Sequence, residues 1–570
     1  MLPRNSNLVG ARYIVPYDQL NRLTQKAYPD STAVNYTYDN DSRLTQVTDP
    51  TGTYQFTFDN MGRLTNTTTS YAFLTGRNFT TSYAYDAASN RTGFTDPESG
   101  ATSYVYDTLN RLQTLTPPAA FTATGNFGFT YDAVSRRTQM TRPNGLKSIY
   151  AYDNLSHLLS VLHQSGSTTL DGAAYGVDNA GNRTSRTPQP TGTASNYSYD
   201  NIYELTGVTQ NATTTESYTY DAVGNRLSSL GVSPYVNNTS NELTSTPSTT
   251  YTYDSNGNTT SKTDSTGTTQ YSWDFENRLT SVTLPGTGGT VGFKYDPFGR
   301  RIYKSSSGGT SVYSYDRANL IEETDYSGAA VARYVQSGWI DEPLAMLRGG
   351  VSTYYSTDGL GSITSVTNMS GSPVQTYTFD AFGKITGSTG SLTNPFRYTG
   401  REFDPETNLH FYRARYYDQA IGRFTSEDPA RFAGDGTNFY AYVKNEPVGN
   451  FDPKGLHKRC WGACGGKCCN YSSGDEWWLD DGTWKKLSPG HCTGIWDDCD
   501  GQTCGGGFYS VGDLNWNTFG LIPICNTPGK DCALAKRYRW TPNAQGPWAD
   551  SPQQRGVTGN APPPGYSWSN

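Results

Sequence analysis

Tyr251-Thr252-Tyr253-Asp254-Ser255-Asn256-Gly257-Asn258-Thr259-Thr260-Ser261 reads as strand, turn, strand. Tyr and Thr alternate along the flanks, which suits a pleated, half-buried surface. Asp254 can bond the backbone of its own turn, and Gly257 accepts a positive φ. The stretch therefore predicts a β-hairpin. A lone hairpin is marginal in water and needs neighbours.

The neighbours are supplied by repetition. The aromatic-Asp pair recurs at Tyr17-Asp18, Tyr38-Asp39, Phe58-Asp59, Tyr85-Asp86, Tyr106-Asp107, Tyr131-Asp132 and Tyr152-Asp153. It continues at Tyr199-Asp200, Tyr220-Asp221, Trp273-Asp274, Tyr295-Asp296 and Tyr315-Asp316. Most spacings are about 20 to 22 residues, the mark of a repeat architecture. Hairpins set side by side extend one sheet, and long sheets twist and coil. The expected fold class is all-β: a spiralling antiparallel shell of hairpins, with hardly any helix. The repeat Asp and Tyr are read as structural, as turn-capping carboxylates and strand-packing rings.

Composition excludes several classes. Apolar residues make up 34%, yet 43 Tyr and 22 Phe are too many aromatics for a disordered chain. A net charge of −7 gives no electrostatic support to nucleic-acid or membrane-surface binding. No apolar run reaches the ~20 residues of a membrane span. The start, Met1-Leu2-Pro3-Arg4, lacks the pattern of a secretory signal. The first repeat follows so closely that Met1 is expected not to be the ancestral start, which leaves the export route open.

A frontier lies at Leu456. All nine cysteines and nine of the eleven tryptophans follow it. Three regions result: repeat shell 1–393, closing segment 394–456, and cysteine-rich tail 457–570 with a Pro-rich end.

In the closing segment Asp428 and Asp452 each precede a Pro, which favours extended backbone at the Asp. Two carboxylates held close cannot both ionise, and such a pair can activate water against a peptide carbonyl. A nearby Arg would hold one of them charged or steady the oxyanion. Ordinary Asp-Pro turns and a surface Arg are the bland alternative.

The repeat units resemble the YD repeats of RHS (rearrangement hot spot) proteins, a family that includes the teneurins and the C components of Tc toxin complexes. The resemblance covers about residues 12 to 456. It is most specific in Tyr354-Tyr355-Ser-Thr-Asp358-Gly-Leu360-Gly361, Phe379-Asp380-Ala-Phe382-Gly383 and Phe396-Arg397-Tyr398-Thr-Gly400-Arg401-Glu402. Tyr412-Arg-Ala-Arg415-Tyr416-Tyr417-Asp418 and Gly422-Arg423-Phe424-Thr-Ser-Glu-Asp428-Pro429 complete the series, which resembles the RHS repeat-associated core. The resemblance implies a β cocoon, complete or incomplete, around a hollow interior that holds the chain's own C-terminal tail.

Pro447-x4-Asp452-Pro453-x-Gly455-Leu456 is similar to the family's self-cleavage motif, in which the chain is cut after the Leu. The resemblance assigns Arg415, Asp428 and Asp452 to an aspartyl-protease-like site acting once in cis. The cut would fall between Leu456 and His457, with Gly455 letting the backbone thread past the carboxylates. Glu402, Asp404 and Arg423 are read as shell-closing pairs.

The tail carries ten Lys/Arg and ten Asp/Glu, so it lacks the basic surface of many nucleases. Its cysteines, from Cys460 to Cys532, read as a disulfide framework, with structural zinc the weaker alternative and no other cofactor expected. His491 is read as solvated, with a Cys/His nucleophile the remote alternative.

The leading functional expectation is a self-cleaving RHS shell that releases a toxic tail. Implied partners are an immunity protein or delivery machinery, and the expected location is secreted or cell-surface. The alternatives are a surface adhesive protein binding carbohydrate or partner cells, and a fragment of a larger RHS protein.

Overall fold

The computed structural model describes residues 4–456 apart from 9, 10, 122–124 and 435, and beyond Leu456 only the backbone of short strands. The chain forms two units, Met1–Lys458 and Arg459–Asn570.

The first unit is antiparallel β throughout. Twenty-one strands, from Arg4–Leu8 to Arg226–Ser229, form one meandering sheet. Sixteen more, from Val236–Asn237 to Ile385–Gly390, form a second. Among the described residues the only helical elements are single 3-10 turns, such as Val443–Asn445.

Each repeat turn closes through its Asp. In Tyr38-Asp39 the Asp39 N–H donates to the Arg43 carbonyl (3.0 Å) and Ser42 N–H to the Asp39 carbonyl (3.1 Å). Asp39 Oδ1 accepts from the N–H groups of Asp41 and Arg43, both at 2.9 Å, and Oδ2 from Arg43 Nε at 2.6 Å. A β-bulge between Thr37 and Tyr38 adds local twist. The fourth turn position is left-handed whatever its residue: φ is +77° at Gly257, +64° at Ser42 and +58° at Asn277. The turn geometry thus outlasts the glycine that signalled it, because Ser and Asn bear the small cost of that conformation.

The Arg of each turn reaches the next repeat. Arg63 Nη1 donates to the Asp86 carbonyl (2.8 Å) and the guanidinium lies 5.0 Å over the Tyr85 ring. Tyr85 OH donates back to the Leu64 carbonyl at 2.9 Å. The same clip joins Arg111 to Asp132 and Tyr131, and Arg278 to Asp296 and Tyr295. Where Asn replaces Arg the link persists as an amide bond: Asn225 Nδ2 to Asn241 and Asn258 Nδ2 to Asn277, each 2.8 Å.

The two sheets lie side by side and advance in the same direction. Lys26 meets Glu276, Tyr71 OH donates to the Tyr313 carbonyl, Arg142 Nε to that of Tyr355, and Arg183 Nη2 to that of Gly359. Ordered this way, they are successive turns of one wound ribbon. Tyr54, Tyr71 and Phe79 of the first pack in one core cluster with Ile302 and Val312 of the second.

The closing segment docks as a third, four-stranded sheet: Glu402–Asp404, Leu409–Tyr412, Arg415–Asp418 and Arg423–Phe424. Tyr398, Tyr412, Tyr417, Phe424 and Tyr442 form its aromatic core. Buried Arg301 pairs with Glu402 (3.5 Å) and Asp404, so these acids do close the shell. Arg423 instead bonds the amide oxygen of Asn237 and the carbonyl of Asn241, and forms no ion pair among the described residues.

In the second unit Glu476–Asp480 pairs with Thr483–Leu487 and with Gly501–Cys504, which pairs with Gly507–Tyr509. The expected disulfides, the zinc alternative and His491 lie outside the described side chains.

Several buried acids titrate high. Burial is the main cause at Glu322, pushed up to about 8, with Glu98 adding to it and Arg77 opposing. Burial likewise lifts Asp380 and Glu204 to about 7 and Asp49 to about 6. Such groups hold protons in the folded shell that the unfolded chain releases, so their stabilisation is full at acid pH and lost as pH rises through these values. Buried His163, held down to about 4, acts oppositely, its contribution fading as pH falls below the usual His range.

Two outcomes follow. Arg278→Ala should destabilise the shell by ~1–3 kcal/mol, the sum of a charged hydrogen bond and a ring contact, while Arg278→Asn should cost less. Urea denaturation measures both, and equal losses would show that the inter-repeat link contributes nothing. Glu322→Gln should flatten the decline in thermal stability between about pH 5 and 8. An unchanged pH profile would show that Glu322 does not drive that decline.

Candidate active site

The three chemically paired residues of the closing segment come from three different places. Arg415 opens the third strand of the docked sheet, Asp428 follows its fourth strand, and Asp452 lies in the last loop before Leu456. All three are buried, with exposures of 3%, 5% and 1%.

Arg415 gathers them. Its Nη2 lies 3.0 Å from Asp428 Oδ2 and 3.4 Å from Asp452 Oδ2. Nε donates to the Gly455 carbonyl at 2.5 Å and Nη1 to the Phe439 carbonyl at 2.9 Å. The guanidinium stacks 3.6 Å from the centre of the Phe424 ring, which holds it flat. One fixed cation therefore faces two carboxylates and the peptide just before Leu456.

The carboxylates are also held by backbone. Asp428 Oδ1 accepts from Ala430 N–H at 2.8 Å. Asp452 Oδ1 accepts from the N–H groups of Lys454 (3.3 Å) and Leu456 (3.0 Å), folding residues 452–456 around its own side chain.

That loop is laid down carbonyl by carbonyl. The Pro453 oxygen accepts from Arg413 Nη1, the Lys454 oxygen from Ala414 N–H (3.2 Å), and the Gly455 oxygen from Arg415. Arg413 is anchored by Asp341 at 2.7 Å, which also pairs with Arg401. Gly455 has φ +70°, and a Cβ there would stand 2.3 Å from the Tyr412 carbonyl oxygen. No other residue fits so close to that strand. Leu456 is buried at 8% exposure, and His457 lies outside the described residues.

The next carbonyl, that of Leu456, reaches Gly434. A Cβ on Gly434 would meet Asp428 Oδ2 at 2.7 Å and the Leu456 oxygen at 2.9 Å. A carboxylate oxygen and the carbonyl before residue 457 thus converge on one bare α-carbon. The sequence carries no motif that marks Gly434 or the Phe439 carbonyl, and Arg413 falls within the Tyr412-to-Asp418 motif without being singled out. They are set by chain packing.

The repeats match the Teneurin YD-shell family over residues 182–448 and the RHS Repeat family over 17–54 and 41–72. The chain belongs to the RHS/YD-repeat family. This RHS chain is 31% identical over 268 residues to the tRNA3(Ser)-specific nuclease WapA of Bacillus spizizenii, a match covering 44% of the chain and 11% of that protein. It is 44% identical over 62 residues to the toxin protein Tse5 of Pseudomonas aeruginosa, covering 11% of the chain and 5% of Tse5. The solved structure of TcdB2-TccC3-Cdc42 superposes with a TM-score of 0.64 at 18% identity, over 78% of this chain and 27% of that one. The RHS chain therefore shares the TcdB2-TccC3 fold and spans about a tenth of the length of WapA.

Proposed function

We propose that residues up to Leu456 form a self-cleaving shell that cuts the Leu456–His457 bond and frees residues 457–570 as a toxic segment. The observation that carries this is Arg415, one buried guanidinium bridging Asp428, Asp452 and the Gly455 carbonyl. The likeness to proteins named as toxins or nucleases supports the fate of the tail.

The chemistry is hydrolysis. In this scheme Asp428, protonated, donates to the Leu456 carbonyl oxygen, which like Asp428 Oδ2 borders Gly434. Ionised Asp452 takes a proton from water as that water's oxygen bonds to the Leu456 carbonyl carbon. Collapse of the tetrahedral adduct breaks the C–N bond: the nitrogen of His457 takes the proton from Asp452, and Asp428 takes one back from an adduct hydroxyl, leaving Leu456 as the carboxylic acid. Arg415 holds the preceding carbonyl rigid and keeps one carboxyl charged. Its donors are committed before the reaction, so little reorganisation is needed.

The freed segment would act outside the producing cell, delivered or secreted, with an immunity protein protecting that cell.

Purified full-length protein should separate under denaturing conditions into two fragments whose masses place the cut after Leu456. Asp428→Asn and Asp452→Asn should each remain intact, and Arg415→Ala should slow or stop the cut. A wild type that keeps the full-chain mass overturns the proposal.

Gly434→Ala tests the convergence on the α-carbon. Gly434 has φ −85° and ψ −150°, outside the left-handed region, and an added methyl would press on Asp428 Oδ2, the Leu456 carbonyl oxygen and, at 3.1 Å, the Arg431 carbonyl oxygen. Cleavage should fall about a hundredfold, the scale of a 1 Å misplacement, with the fold retained by circular dichroism. Full-rate cleavage by this variant would remove Gly434 from the site.

A further inference from the structure

Away from the cleavage site, a small cavity opens where the first sheet ends, the second begins and the closing segment docks. Arg226 comes from the last strand of the first sheet, and Tyr235 and Leu243 from the start of the second. Gly422 and Arg423 are supplied by the closing segment, with Asn438 and Asn445 beyond them. The space admits one water-sized occupant.

Two cations line it and no carboxylate does, although Glu216 and Asp380 lie within electrostatic reach of Arg226. Arg226 is 9% exposed and Arg423 8%. Neither forms an ion pair among the described residues. Arg226 rests on the faces of Tyr218 (4.5 Å) and Phe382 (4.2 Å), and Arg423 on that of Tyr440 (4.6 Å). Nε and Nη2 of Arg226 and Nε of Arg423 are buried with no hydrogen-bond partner. Arg226 Nη2 points at the bare face of Gly422, where a Cβ would come within steric conflict of it.

The surrounding amides are already used. Asn225 Nδ2 donates to Asp221 and Asn241, and its oxygen accepts from Asn438 at 2.9 Å. Asn445 Nδ2 donates to Glu204 and to the Gly224 carbonyl, both at 2.8 Å. The unmet demand is for an acceptor alone.

We infer that this cavity is a binding site for one small monovalent anion of the halide class, held between Arg226 and Arg423 at the seam of the three sheets. An unpaired buried charge is costly, and a buried N–H without an acceptor adds to the cost. An anion removes both costs at once. A water molecule would satisfy two of the donors but leave two like charges facing each other. Burial is what chiefly holds the Arg423 guanidinium below its ordinary value, against Tyr253, Tyr440 and Tyr251, with repulsion from Arg226 a smaller contribution. The fit to one small sphere disfavours phosphate and carboxylate ligands. Bound there, the anion would tie the closing segment to both sheets.

The direct test is a crystal of the full-length protein soaked in bromide. A bromide anomalous peak between Arg226 and Arg423 is expected, and a water-only density there with no anomalous signal overturns the assignment. In solution, the melting temperature of the full chain at fixed ionic strength should rise by a few degrees and saturate as chloride replaces gluconate. Arg226→Met and Arg423→Met should each lose that rise. A chloride dependence that survives in Arg226→Met, or an equal melting temperature in both salts for the wild type, would also refute the site. Because the anomalous experiment uses the wild type, the result stands even if a variant fails to fold.

Discussion

The fold depends on a single recurring interaction, the reach of one turn's arginine across to the next turn. Within a hairpin the Asp carboxylate closes the loop, but that alone leaves a row of separate hairpins. The guanidinium of Arg63 touches its own Asp59, the carbonyl of Asp86 and the ring of Tyr85, and so fixes the distance and tilt between two repeats. The same clip recurs at Arg22, Arg43, Arg111, Arg136, Arg278 and Arg300, while from Asp153 to Asp254 His157, Asn182, Glu204, Asn225 and Asn258 stand in the arginine's place. Hydrophobic residues can then be sparse, because side-chain clips and tyrosine rings do part of what an aliphatic core does elsewhere.

Much of this was legible in the chain. The Tyr-Asp period gave the hairpins, and alternation of Tyr with Thr gave the strands. The lateral partners were not legible, because no local pattern says that Tyr71 will meet Tyr313 or Arg142 the carbonyl of Tyr355. Those contacts follow from the accumulated twist of many strands, a quantity to which every bulge and insertion contributes. The charge of Arg423 suggests an ion-pair partner. Its neighbours turned out to be Asn237, Asn241 and a tyrosine ring, supplied by the second sheet.

The candidate site divides the same way. Arg415, Asp428 and Asp452 could be named from motif spacing and family resemblance, whereas their mutual approach depends on folding of the closing segment. The three carbonyls captured in turn by Arg413, Ala414 and Arg415 show that residues 453–455 are treated as a docked ligand strand. That capture places the peptide rigidly beside two acids.

The docking of the closing segment has a consequence for the order of events in a cell. Arg183 Nη1 holds the Val448 carbonyl, Asn445 holds Glu204, and Tyr440 OH donates to the Gly257 carbonyl. The segment that carries Asp428 and Asp452 is thus seated on strands made some two hundred residues earlier, drawn from both sheets. Contacts of such long sequence separation form late. The acids can come together only after the ribbon beneath them has been synthesised and wound, so their pairing is a late product of folding.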